Sequence, residues 1–489
     1  MTATALPSVN LTPTITSLGV GSGLNLNSIV TSLVAVEQQP ITQLLAQATV
    51  LQTQISDFGQ ISSLTSTLQD AASALRNPGL WNAQAITSSN STAVSATATS
   101  GALSGNYAVS VQNLASAQTV VSGTSYSSAS SLVGSGNLTL QLGTWSGSTF
   151  QGQSGNPTTI AVSSTDTLQS LVSKINSAGM GVTASLVTDA SGVRLALSSI
   201  NTGAANGFQV TGDDPSLAGV AYDPSNSSAA GTGSMTLAAA GTNANAIING
   251  ISVSSASNTI TGAVYGLSLT LGQTTTTPVN VAVTPDQTSI SNAIQSFVTA
   301  FNGLASYLQT TTAYDASTQV AGDLQGNSSA NSVQQLLRNT LNMTTSSSTA
   351  FTSLSDVGIQ FQRDGTLSID QPTLNAALTN LPQLKSAFAT INSNGTANGF
   401  ASNFVNMSLQ LIGPSGLVTN TTSSLKTQLS QNQSDQTALN NQVAAYQQTL
   451  VAQYSALDAQ LGQLSSLSSY VNQQLAGISG SSSSSSSSS

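Results

Sequence analysis

The chain has 489 residues, no cysteine and no histidine, and only 5% of its residues carry charge. That removes thiolate and imidazole chemistry: disulfides, ordinary zinc cages, a Ser-His-Asp triad and haem ligation. A net charge of −9 with seven Lys and Arg argues against a nucleic-acid face, and no apolar run reaches the length of a membrane span.

The first 27 residues are rich in Thr, Ser, Gly and Pro and are expected to be flexible. They lack a basic start and an apolar centre, so they do not form a conventional secretory signal. Gly19, Gly21 and Gly23 have neither the preceding strand nor the Lys of a phosphate loop. Asn27 or Ser28 can cap a helix carrying Ile29, Leu33 and Val36, and Pro40 breaks or restarts it. From Ile41 to Leu75 apolar residues recur every three or four positions: Leu44, Ala48, Leu51, Ile55, Phe58, Ile61, Leu64, Leu68, Ala72 and Leu75. That spacing predicts one long helix of roughly 50 Å with a single apolar seam.

At Asn77-Pro78-Gly79 a turn is expected, with Trp81 as an anchor. The period then drops to two at Val94, Ala96, Ala98 and at Tyr107, Val109, Val111, which predicts strands. A helix with apolar residues at Leu168, Leu171, Val172 and Ile175 interrupts them, ended by Gly179 and Gly181. Strands resume at 182–187 and 193–197, joined by hairpin chemistry at Asp189-Ala190-Ser191-Gly192, and again over 246–271 and 279–283. After Pro285 one helical face carries Ile290, Ile294, Phe297, Val298, Phe301, Leu304 and Leu308, and a second helix carries Val333, Leu336, Leu337 and Leu341. Ile359 to Ile369 alternates around Asp364-Gly365 and predicts a β-hairpin, followed by a helix with Leu374, Ala377 and Leu378.

The last long stretch mirrors the first. Leu425, Leu429, Asn432, Gln436, Leu439, Val443, Tyr446, Leu450, Tyr454, Leu457, Leu461 and Leu464 follow coiled-coil spacing over a helix of roughly 75 Å. Asn432 and Gln436 are either a weak spot facing water or a register lock. A pure serine tail closes the chain.

The expected fold is therefore α+β multidomain: a long helical coiled-coil stalk from both chain ends, with two β-rich head domains inserted between them. The expected segments are 1–40, flexible with a short helix; 41–77, the N-terminal stalk helix; 78–125 with 240–285, a discontinuous β-rich domain; 126–239, an inserted outer β-rich domain. They continue with 286–424, a helical stalk domain with a hairpin; 425–477, the C-terminal coiled-coil helix; and 478–489, a disordered Ser tail. The residues expected to carry function are the seam itself, as a coiled-coil and oligomer surface: Leu44, Leu51, Ile55, Phe58, Leu68, Leu75, Leu439, Val443, Leu450, Tyr454, Leu457, Leu461 and Leu464.

No catalytic, cofactor-binding or metal-binding set is expected. Asp213-Asp214-Pro215 is turn chemistry rather than an acid pair, since adjacent side chains diverge. Asp315 and Asp323 lack the spacing of a calcium loop. Trp81 and Trp145 read as packing anchors rather than sugar platforms.

Gly21-Ser22-Gly23-Leu24-Asn25-Leu26-Asn27-Ser28-Ile29-Val30, with Glu37 and Pro40, resembles the N-terminal signature of the flagellar hook-associated protein 2 family, the filament cap. Asn25 and Asn27 stand where that signature usually has acidic residues. Tyr107 to Ala115, Ala244 to Ile251, Asn258 to Leu271, and Val357 to Asp370 are similar to later landmarks of the same family, and Leu168 to Val210 resembles a repeat of flagellin-type heads. The resemblance implies a homo-oligomeric ring, a pentamer, at the filament tip outside the cell, exported by the flagellar type III route. It implies flagellin, hook–filament junction proteins and an export chaperone at the C-terminal segment as partners. Another axial flagellar protein, of flagellin or junction type, shares the design of helical ends, and a Ser/Thr-rich acidic head also fits a surface adhesin. Missing His and Cys make an enzyme the least favoured class.

Overall fold

The computed structural model describes residues 25–155, 157–226, 234–317, 319–391 and 398–481. The Gly19, Gly21 and Gly23 stretch and the serines after Ser481 lie outside the described residues. The helices are α1 (Leu26–Glu37), α2 (Gln39–Arg76), α3 (Pro78–Trp81), α4 (Leu168–Ala178), α5 (Gln287–Thr312), α6 (Ser328–Leu341), α7 (Gln371–Ala377), α8 (Leu381–Ala389), α9 (Phe400–Ile412) and α10 (Leu417–Ser481). Helices from the two chain ends thus flank β-rich sequence, a mixed helix and sheet fold. Two compact units result, one built from the chain up to Arg76 and from Asn292 onward, the other from Asn77–Ser291. Among the described residues no helix is long and apolar enough to cross a membrane.

The β-rich unit has two cores. One lies between a five-stranded antiparallel sheet, in the order Gln84–Ser88, Val279–Pro285, Gly105–Asn113, Ala244–Ile248 and Ile251–Ser255, and a three-stranded sheet of Thr259–Val264, Leu267–Leu271 and Val94–Ala98. Val109, Val111, Ala246, Leu269 and Val281 alternate into it, as the period of two requires. The second core gathers α4 and two four-stranded sheets, with Leu138, Leu140, Leu171, Ile175, Leu195, Phe208 and Val210 at its centre. Thr119–Ser122, grouped by sequence with the discontinuous part, pairs with Gly192–Ser199 and Met235–Ala239, because Val120 points into this second core. The two cores therefore meet near the Ser116–Thr242 bridge.

Local chemistry fixes α4 on its core. Thr167 and Ser170 form a reciprocal capping box, and Gly179 ends the helix at φ 62°, the left-handed region glycine tolerates. Just before the helix Asp166 accepts from the Ser163 amide, the Ser170 hydroxyl and the Lys174 ammonium.

In the helical unit, Phe297, Phe301, Leu304 and Leu308 of α5 are fully buried, the face expected from their spacing. Phe404 of α9 meets Phe297 and Phe301 edge-on, with ring centroids 4.9 and 6.1 Å apart. Removing such a buried ring typically costs about 3–5 kcal/mol. The hairpin Ile359–Phe361 and Leu367–Ile369 forms as its alternation predicts, with Gly365 at φ 86° in the turn. Asn302 of α5 holds it by accepting from the Leu367 amide at 2.7 Å and donating to the Leu367 carbonyl at 2.8 Å.

The bond from Lys174, followed by the Ser163 amide, holds the Asp166 carboxyl at about 2 instead of 3.8. A depressed carboxylate stabilises the fold above its unfolded value and loses that contribution as the pH falls through its folded value. Asp166→Asn should therefore melt below the parent at neutral pH, with the gap closing as the pH drops from 3.8 towards 2. A gap of constant size down to that pH would show that Asp166 acts through shape and not charge.

Candidate assembly interface

The terminal helices meet within the helical unit. Asn25 caps α1 by accepting from the Ser28 amide at 3.1 Å. The buried face of α1 is Leu26, Val30 and Val34, whereas Ile29, Leu33 and Val36, the face expected from sequence, point to solvent. Leu26, Ile29, Val30, Leu33, Val34 and Val36 form one broad apolar arc opposite Asn27, Ser28, Thr31 and Ser32, so spacing alone does not choose which side of the arc is buried. Val30 and Val34 pack with Ile41 of α2 and with Val443 and Leu450 of α10, and Leu439, Val451 and Tyr454 lean on the same cluster. Pro40 sits at the second position of α2, where a missing amide hydrogen costs no helical bond, so the chain restarts there instead of ending.

Next along α10 comes a polar layer. Asn432 and Gln436 are only 6% and 4% exposed, and the Gln436 amide donates to the Asn432 side-chain oxygen at 2.6 Å. The Asn432 amide reaches the Gln47 side-chain oxygen on α2 at 3.5 Å. The alternative of a weak spot facing water is thus overturned: both residues are inside. Beyond this layer Phe58, Ile61, Leu68, Ala72 and Leu75 of α2 are fully buried, with α9 and α10 packed against that helix.

The seam residues expected from sequence fall into three groups. Phe58, Leu68, Leu75, Val443 and Leu450 are buried. Leu44, Leu51, Ile55, Leu439, Tyr454 and Leu461 are half-buried. Leu457 and Leu464 are exposed, and the apolar stripe continues exposed through Leu467, Tyr470, Val471 and Leu475. The α10 seam is thus covered in this chain as far as about Tyr454 and largely open to solvent beyond it.

One polar group was missed by sequence reasoning. Asp57, on the inner side of α2, accepts from the Tyr307 hydroxyl of α5 at 2.8 Å, and its other oxygen is buried without a hydrogen-bond partner among the described residues. The two residues lie 250 positions apart, so no local spacing could have paired them. Burial raises the Asp57 carboxyl above its ordinary value, against the pull of the Tyr307 bond and aided by the charge of Asp323. The same burial and the neighbouring Asp57 push the Tyr307 phenol up to about 12.

Three of the other carboxylates considered from sequence are hydrogen-bonded within their own surroundings. Asp213 accepts from the Asn137 amide and side chain, Asp214 from the Ser216 amide and Asp315 from Ser317. No group of three potential metal ligands occurs among the described residues. Trp145 lies against Phe150 and Tyr222 and donates to the Phe208 carbonyl, so its ring is part of a packed cluster.

The two ends of the chain fold together as helices, with sheet in the sequence between them. Family models match this chain. Residues 22–118 match the flagellar hook-associated protein 2 N-terminus, residues 241–466 match its C-terminus, and residues 149–201 match the flagellin hook IN motif. The chain belongs to the flagellar hook-associated protein 2 family. It is 35% identical over 252 residues to flagellar hook-associated protein 2 of Escherichia coli strain K12, covering 50% of this chain and 51% of that one, so the match spans about half the length of that relative. The B-type flagellar hook-associated protein 2 of Pseudomonas aeruginosa is 27% identical over 481 residues, 94% of this chain and 98% of that one. The crystal structure of the D1-D2-D3 domains of the Escherichia coli flagellar cap protein FliD superposes with a TM-score of 0.58 at 29% identity, covering 76% of this chain and 99% of that one.

A carboxyl raised by burial favours the fold below its unfolded value and opposes it once the pH passes its folded value. Asp57→Asn retains an acceptor for Tyr307 and removes the charge. It should melt above the parent near neutral pH, and the advantage should vanish below the ordinary carboxylate value of 3.8. Thermal melts of the full chain across that range test this. A variant less stable at neutral pH would contradict it.

Proposed function

We propose that this chain is a structural cap at the distal tip of the bacterial flagellar filament, outside the cell, where it promotes folding and insertion of exported flagellin and prevents its loss. In this reading copies of the chain form a ring, a pentamer, with the terminal helices as a coiled-coil stalk and the β-rich domains as the head. The Asn432, Gln436 and Gln47 layer locks the register of that stalk, since its flanks offer Gln, Ser and Thr in place of pairing charges. Flagellin, the hook–filament junction proteins and an export chaperone on the C-terminal segment are its partners, and the route out is flagellar type III export.

The observation that carries the reading is the change along α10. Val443 and Leu450 are buried, while Leu457, Leu464, Leu467 and Leu475 are 42–60% exposed on the continuing helix. An apolar stripe that outruns its intramolecular partner fits a surface for neighbouring subunits. Membership in a family matched at both chain ends supports the same reading, and does not favour a flagellin or junction type. The mechanism is steric: a plate held on yielding helices leaves a protected space in which an arriving subunit folds.

The exposed and buried parts of the stripe separate assembly from stability. Leu450→Ala should lower the stability of the free chain by about 2–5 kcal/mol. Leu457→Ala with Leu464→Ala should leave the melting temperature of the free chain unchanged and still fail to cap. In a strain lacking this protein, the double variant should give short filaments and shed unpolymerised flagellin. A variant with Asp213, Asp214, Asp315 and Asp323 changed to Asn should build filaments. The reverse pattern would place function in a polar site and sink the mechanical reading.

A further inference from the structure

The helical unit carries a groove of about 540 Å³ between α5, α6 and the hairpin. Its walls mix apolar side chains, Leu341 and Phe361 among them, with Gln309, Thr312 and Gln334, and Phe361 is half exposed. Two guanidinium groups, Arg338 and Arg363, line it. They are two of only seven cations in the chain. Lys174 and Arg194 form ion pairs with Asp166 and Asp189, but neither Arg338 nor Arg363 has one among the described residues. Asp364 at the same groove is occupied by its own turn, accepting from the Thr366 amide and hydroxyl. Apolar side chains beside two guanidiniums that lack an ion pair among the described residues suit an amphipathic helix that carries a carboxylate.

The chain itself presents such a helix. On the outward face of α1, Ile29, Leu33 and Val36 are 42%, 36% and 60% exposed, and the stripe ends at Glu37, the single glutamate of the sequence. We propose that the Arg338–Arg363 groove receives the outer face of α1 from a second copy of this chain, with Ile29, Leu33 and Val36 on its apolar side chains and Glu37 at the guanidiniums. The contact joins two different surfaces of the chain, so it can repeat head to tail as a heterologous contact. A heterologous contact propagates from copy to copy and closes into a ring when the rotation permits. It also gives two molecules of net charge −9 a local attraction against their overall repulsion.

This inference rests on the proposed self-assembly of the chain, and the test separates the two. Self-association of the full-length chain is measured by sedimentation velocity for the parent, for Arg338→Glu with Arg363→Glu, and for Glu37→Lys. All three positions are exposed, so melting temperatures should match and serve as the folding control. Each variant alone should associate at least about tenfold more weakly than the parent. An equimolar mixture of the two variants should regain association, because the helix that has gained a lysine meets the groove that has gained two glutamates. Variants that assemble like the parent would overturn the groove as an interface and leave self-assembly standing. Weak association that persists in the mixture would overturn α1 as the occupant. A parent chain that stays monomeric at every concentration would overturn both the contact and the self-assembly on which it rests.

Discussion

The structure depends on covering an apolar helix face that neither end of the chain can cover alone. Isolated helices are marginal in water, and α10 is built largely of Ser, Thr, Gln and Asn, without charge pairs to support it. Its order in the described chain follows from burying Val443 and Leu450 against Val30, Val34 and Ile41, and Leu425 and Val418 in the rest of the helical unit. The same dependence leaves the distal part of the helix with its apolar stripe open to solvent.

Scarcity of charge shapes the rest. The carboxylates serve mostly as local acceptors: Asp213, Asp214 and Asp364 are held below the usual range by bonds from Asn137, Ser216 and Thr366. The bonds to Asp214 and Asp364 close turns, and those to Asp213 tie it to Asn137, 76 positions away in sequence. Two features stand outside this pattern. One is the buried Asp57–Tyr307 pair between α2 and α5, where a carboxyl is retained at some cost to stability. The other is the arginine-lined groove, whose guanidiniums have no ion-pair partner among the described residues.

Much of this was legible in the sequence, and the exceptions have physical causes. The spacing of Leu439, Val443 and Leu450 and of Phe58, Ile61 and Leu68 identified the long helices, and Asp364-Gly365 identified the hairpin turn. Spacing cannot show how far a partner reaches: Leu457 and Leu464 continue the repeat that holds Leu450, yet they are exposed. It could not choose a face on α1, where Leu26, Val30 and Val34 compete with Ile29, Leu33 and Val36 and only the position of α10 decides. Nor could it pair Asp57 with Tyr307 or bring Arg338 and Arg363 to one groove, since those meetings depend on how α2, α5, α6 and the hairpin pack.

The central claim is that paired terminal helices are ordered by a shared apolar face that ends near Tyr454. Amide hydrogen exchange along the full-length monomer tests it most directly. The account predicts that α1 and the α10 segment around Val443 and Leu450 are protected together, and that protection falls steeply past Tyr454 towards Leu475. Uniform protection of α10 to Leu475 in the monomer, or an unprotected α1 beside a protected Val443, would contradict it.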